Sequence, residues 1–166
     1  ELSGNHGDPE LEPQSVDILS LSFGQPDDGF HFPESSDYVK AYLEGRSDPV
    51  AVAGRFIALA QQSQEDDPDM GFFIARNSED LLEQARASAK RYQDGQALGP
   101  LDGVPVAIKD EIDQADYPTS VGTGFLGNGP VKHDATVVAR LRAAGALLVG
   151  KTNMHEIGIG VTGINP

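Results

Sequence analysis

Apolar residues recur along this chain first at helical spacing and later in short strand-like runs. In residues 36–44, Tyr38, Val39, Tyr42 and Leu43 share one side of a predicted short helix, with Ser36 placed to cap it and Gly45 to stop it. A stronger helix begins at residue 49, where Val52, Phe56, Leu59 and Ala60 repeat at helical spacing. Asp48 is a good N-cap for it, and Pro49 sits at the first helical position, where its missing N–H costs nothing. The polar run 64–69 ends it, and residues 72–74 form a short strand candidate. A third predicted helix runs from about residue 79 to 93, with Glu79 and Asp80 in its first turn and Lys90 and Arg91 near its end, complementing the helix dipole. Gly95 stops it.

The pattern changes at Gly99, after which Gly and β-branched residues dominate. Residues 104–108 read as a buried strand, 117–133 as a Gly-rich loop, and Asp134 as the cap of a helix bearing Val137, Val138, Leu141 and Ala144. Gly145 ends that helix, and 146–149 is the next strand. Strand, loop, helix and strand in that order predict a crossover unit of an α/β sheet. Three stretches are thereby set apart: an extended or partly disordered arm over 1–34, whose apolar cluster is Ile18, Leu19, Leu21 and Phe23; a helical region over 35–98; and an α/β region over 99–166.

Composition narrows the function classes. The net charge is -14, from 26 acidic against 12 basic residues. Neutralising phosphates takes clustered Lys and Arg, so nucleic acid is not an expected partner, and an anionic membrane surface is disfavoured for the same reason. The absence of cysteine removes disulfides, thiolate zinc sites and a cysteine nucleophile together. No apolar run approaches a bilayer span, and the first residues do not read as a signal peptide, which tilts the expected location toward the cytoplasm. A start at Glu1 rather than Met suggests a trimmed or processed N-terminus.

Two motifs match in letters and fail in context. Residues 145–152, GALLVGKT, fit the phosphate-binding pattern G-x-x-x-x-G-K-S/T, which needs a strand before its first glycine and a helix after its lysine. Here a helix precedes the glycine, and the four apolar residues read as the strand itself, with amides committed to a sheet ladder. The tetrapeptide VAIK at 106–109 resembles the lysine-bearing strand of kinases, but the G-x-G-x-x-G, H-R-D and D-F-G motifs are missing. His31, His133 and His155 lack metal-ligand spacing, and Ile159 stands where the zinc-protease motif H-E-x-x-H needs its second histidine.

Three ordered blocks carry a family resemblance: GPLDGVPVAIKDEI at 99–112, DATVVARLRAAGALLVGKTNMHE at 134–156, and GIGVTGINP at 158–166. Together they resemble the N-terminal part of the amidase signature family; KDEID at 109–113 and TGINP at 162–166 look most like its plant-type fatty acid amide hydrolase branch. The resemblance implies N-terminal helices followed by the start of a large mixed sheet flanked by helices. It implies no cofactor and no metal. The family's catalytic set is Ser–cis-Ser–Lys, and its lysine, in G-I/V-P-x-x-x-K-D, aligns with Lys109. The two serines lie beyond the position matching Pro166, and Ser120 does not stand in for the nucleophile. Gly158, Ile159 and Gly160 are candidates for lining the acyl or leaving-group pocket, where glycines let substrate approach the backbone; a plain turn is the competing reading. Lys151, Asn153 and Glu156 are read as organising the turn after the second strand.

The chemistry asked of Lys109 is demanding. A lysine acts as a base only when neutral, and its ordinary pKa is about 10.4. Burial disfavours the ammonium form and can lower that value by about 3–5. The apolar run 104–108 is expected to supply the desolvation, with Asp110 on the opposite face of the strand accepting hydrogen bonds from the following loop. Implied partners are the remainder of an amidase polypeptide or a second chain carrying the serines, an amide substrate, and a homo-oligomer of the complete enzyme. A scaffold subunit or part of a glutamine-dependent amidotransferase is the alternative. A chain ending at Pro166 would leave sheet edges unpaired, which also predicts association with further polypeptide.

Overall fold

The computed structural model of the chain describes residues 34–65 and 71–159. The arm expected over 1–34 lies outside them up to residue 33, as do residues 66–69 of the polar loop with Met70, Gly160, and the TGINP stretch. The described elements are α1 (Ser35–Leu43), α2 (Pro49–Glu65), β1 (Phe73–Ala75), α3 (Ser78–Gln93), β2 (Pro105–Lys109), α4 (Thr136–Ala143), β3 (Leu147–Thr152) and a 3-10 turn, Glu156–Gly158.

Local chemistry sets the helix ends. Asp48 caps α2 through its carboxylate, which accepts from Val50 N at 2.7 Å and Ala51 N at 2.9 Å. Asn77 does the same for α3, accepting from Glu79 N and Asp80 N at 3.1 Å. Two predicted caps are displaced. Ser36 lies inside α1; Glu34 is its N-cap, donating its N–H to the Asp37 carboxylate at 2.8 Å. Asp134 does not cap α4, whose N-cap is Ala135. Its carboxylate instead accepts from Ala115 N at 2.8 Å and from Arg142 Nε at 2.9 Å, tying the long loop to the helix.

The sheet order is β1-β3-β2, with β3 antiparallel to β1 and parallel to β2. The parallel pair joined through α4 is the predicted crossover unit, and the α/β class holds. The central strand is β3, whose residues 147–151 are all buried. The expected burial of β2 is corrected: among the described residues it is an edge strand, with Ala107 and Lys109 exposed and only Ile108 fully buried.

Alternation on β3 divides two cores. Leu147 and Val149 pack with Ala53 of α2 and Leu81 and Ala85 of α3. Leu148 packs with Ile108 and Val138 on the other side. Phe56 and Phe73 meet edge to face at 5.4 Å and extend the first core, while Leu59, predicted on the same apolar stripe, is about half exposed. The β2 register steps from Val106 opposite Leu148 to Ala107 opposite Gly150, so Val149 is an extra residue in β3. Gly150 accommodates the bulge at φ +138, and β1 passes so close that a Cβ there would lie 2.6 Å from the Ala75 carbonyl oxygen.

Candidate active site

Lys109 is the last residue of β2 and lies opposite Thr152, the last residue of β3. Both parallel strands therefore end at the same place, and the segments leaving them carry the sequence-predicted site residues. In open α/β sheets the crevice beyond the strands' carboxyl ends is the usual ligand location.

The Lys109 side chain is 47% exposed, and its amine lies 2.9 Å from Glu111 Oε1. The desolvation expected from the apolar run is not supplied by these residues, because β2 is an edge strand. Glu111 also reaches the second candidate segment: its Oε2 lies 3.2 Å from where a Cβ on Gly158 would stand. Glu111 thus pairs with Lys109 and lies close to Gly158. Ile159 is 81% exposed, an apolar side chain that the described residues leave largely uncovered. Gly160 falls outside them.

Asp110 follows the sequence expectation. It is buried, and its carboxylate accepts from Ser120 Oγ at 2.5 Å, Gly122 N at 3.1 Å and Ser120 N at 3.2 Å. The backbone of this loop is strained in a specific way. Val121 and Ile157 are β-branched residues at positive φ, 56° and 54°. Ile157 N donates to the Val121 carbonyl at 2.9 Å, and Val121 N donates to the Asp110 carbonyl at 3.3 Å. One hydrogen-bonded ladder therefore links the end of β2, the Gly-rich loop and the turn after β3.

The buried cation of this region is Lys151, not Lys109. Its side chain is fully buried on β3. Its amine donates to the Ile112 carbonyl at 2.6 Å and to Thr119 Oγ1 at 3.3 Å, and lies 3.6 Å from Asp110 Oδ1. Burial pulls its pKa below the ordinary lysine value, while Asp110 and Asp113 pull the other way. Sequence reading placed Lys151 in a turn; the one available signal was its position one residue, Gly150, beyond four that read as buried strand. The rest of the phosphate-loop match dissolves as predicted, since Leu147–Thr152 is strand. A separate cleft, lined by Arg76, Asn77, Asp80, Asp116, Tyr117 and Arg142 among others, shares no lining residue with this site.

The Amidase family model matches residues 57–166. A fatty acid amide hydrolase of Oryza sativa subsp. indica is 44% identical over 131 residues, covering 78% of this chain and 22% of the relative. A glutamyl-tRNA(Gln) amidotransferase subunit of Rhodopirellula baltica is 38% identical over 128 residues, covering 77% of this chain and 25% of that protein. The native peptide amidase of Stenotrophomonas maltophilia superposes with a TM-score of 0.68 at 31% identity, covering 74% of this chain and 25% of that chain. The chain thus spans about a quarter of the length of these proteins.

Proposed function

Because this chain belongs to the amidase family, we propose that it supplies the lysine end of a serine amidase site, completed by serines from further polypeptide or a second chain. The observation that supports this most is the placement of Lys109, within GVPVAIKD, at the shared carboxyl end of two parallel strands. In the proposed reaction neutral Lys109 takes a proton from the nucleophilic serine through the bridging serine. The serine oxygen attacks the amide carbonyl carbon, and backbone N–H groups of the serine-bearing segment stabilise the tetrahedral oxyanion. Collapse breaks the carbon–nitrogen bond, the amine leaves with the proton, and water releases the acid from the acyl-enzyme.

This reading sets a requirement on assembly. An ammonium held against a carboxylate accepts no proton, so the pair of Lys109 and Glu111 must open. The serine-bearing segment then takes the place of Glu111 at the amine and excludes water from it. Gly158, Ile159 and Gly160 are proposed to line the adjoining acyl or leaving-group pocket; the nearness of Gly158 to Glu111 and the exposed Ile159 side chain support that assignment. A second reading, in which the chain belongs to an amidotransferase that hands ammonia to a partner chain, draws support from the 38% identical relative.

Hydrolysis of an acyl p-nitroanilide tests the proposal. The chain by itself is expected to release no aniline, the complete serine-bearing polypeptide to release it, and Lys109→Ala in that polypeptide to abolish release. Hydrolysis that survives Lys109→Ala would end the assignment. Activity on glutamine that requires a partner chain would favour the second reading.

A further inference from the structure

The proposed reaction makes no use of Lys151, although this amine sits fully buried within reach of the loop that leaves Lys109. Its burial needs a reason other than stability, since a well-packed apolar side chain of similar volume commonly serves a fold as well as a buried ion pair or better. The reason lies in what the amine holds. The Ile112 carbonyl and Thr119 Oγ1, which accept its hydrogen bonds, stand at either side of the loop, and Asp110 is the neighbour of Lys109 itself. Ile112 N donates in turn to the Lys109 carbonyl at 3.0 Å, so the turn 109–112 is closed by one backbone hydrogen bond and pinned from beneath by the Lys151 ammonium. That turn carries both Lys109 and Glu111.

The bulge aims the clamp. Leu148 and Lys151 are three apart, and in an unbroken strand they would face opposite sides. The extra residue at Val149 reverses the alternation, so Lys151 comes opposite Ile108 and reaches toward Ile112, in the core that also contains Leu148. Asp110, meanwhile, is locked by Ser120 and Gly122, which anchors the far side of the same turn.

We propose that Lys151 is a positioning residue for Lys109: its buried amine fixes the turn 109–112 and thereby the place from which the Lys109 amine meets the serines. This deepens the proposed function and rests on Lys109 being the proton acceptor. Lys109→Ala, Lys151→Met and the double variant of the complete amidase polypeptide are compared on an acyl p-nitroanilide, with the thermal midpoint of each. Folded Lys151→Met is expected to lose about 100-fold in kcat, the scale of a small misplacement of a reacting group. Its KM is expected to stay within about twofold, because substrate binding is untouched. In the Lys109→Ala background the same change is expected to leave the residual rate unaltered, since a residue acting only through Lys109 has nothing left to act on.

A folded Lys151→Met enzyme with parental kcat overturns the proposal, as does a further additive loss in the Lys109→Ala background. If Lys151→Met does not fold, Thr119→Val removes one of the amine's acceptors with little change of shape. It is expected to lower kcat about fivefold at constant KM, and an unchanged kcat overturns the proposal. Parental activity in Lys109→Ala instead overturns the base assignment, whatever Lys151→Met does.

Discussion

Replacing one glycine by alanine should have opposite effects at two positions of this chain. At Gly150 the backbone sits at φ +138, a region L-residues adopt only under strain, at a cost of about 1–3 kcal/mol. A methyl group there would also stand 2.6 Å from the Ala75 carbonyl oxygen and 2.9 Å from Arg76 Cγ. The arginine side chain can swing aside, but the carbonyl belongs to β1, which must retreat from β3. Each ladder hydrogen bond given up adds about 1 kcal/mol. Gly150→Ala is therefore expected to destabilise by about 3–4 kcal/mol, a large share of the roughly 5–15 kcal/mol that holds a typical domain together. At Gly54, in the middle of α2, nothing lies within 4 Å of the same methyl. There the substitution removes backbone entropy from the unfolded chain and should stabilise by about 0.5–1 kcal/mol. Urea denaturation of the complete polypeptide measures both, and hydrogen exchange at Asn153 N, which donates to the Phe72 carbonyl at 2.9 Å, reports whether β1 has moved. A Gly150→Ala protein within about 1 kcal/mol of the parent would refute the close approach of β1 to β3.

Two pH effects follow from the buried charges. Burial pushes the Asp102 carboxyl up, but the guanidinium of Arg91, the Leu98 N–H and the Ser88 hydroxyl outweigh it and hold the group below the usual carboxylate value of 3.8. Its stabilising contribution should be present above 3.8 and lost as pH falls through the lower folded value, and Asp102→Asn should flatten that acid limb of the stability curve. Lys151 gives a slope of the same sign, but from the burial of a cation. With its folded pKa below the unfolded value, the unfolded chain binds more protons between the two, so stability should rise with pH up to about 10.4. Lys151→Met should remove that rise, and a slope that survives the substitution would assign it to another group. Finally, Leu148→Ala, which empties a fully buried site between β2 and α4, should cost about 2–5 kcal/mol by chemical denaturation.

The sequence disclosed what depends on near neighbours. Asp48 with Pro49, and the acid-to-base gradient of α3, are one-turn effects, and both helices form where the pattern placed them. The crossover from β2 through α4 to β3 was legible because its strands are short apolar runs on either side of an amphipathic helix. What failed depended on partners far along the chain. Residues 104–108 and 146–149 are equally apolar, so nothing local says that β3 takes the centre of the sheet and β2 an edge. Asp134 was well placed to cap α4 but is taken by Ala115 and Arg142, the former on the opposite flank of the long loop. The proposal of Lys109 as the site lysine rests on GVPVAIKD, and that motif did not disclose the residue's surroundings. Whether a lysine is buried depends on acceptors such as the Ile112 carbonyl, a backbone atom that no side-chain pattern encodes.

Placing the last described strand in the middle of the sheet has a consequence for biosynthesis. A ribosome delivers α2, α3, β1 and β2 before Leu147, yet every one of them rests against β3. Until Thr152 has cleared the exit tunnel, the helices have no common floor and the two flanking strands have no neighbour to bond among the described residues. Nascent polypeptide from this region should therefore stay sticky and chaperone-dependent through most of its translation, then consolidate abruptly when one six-residue strand arrives.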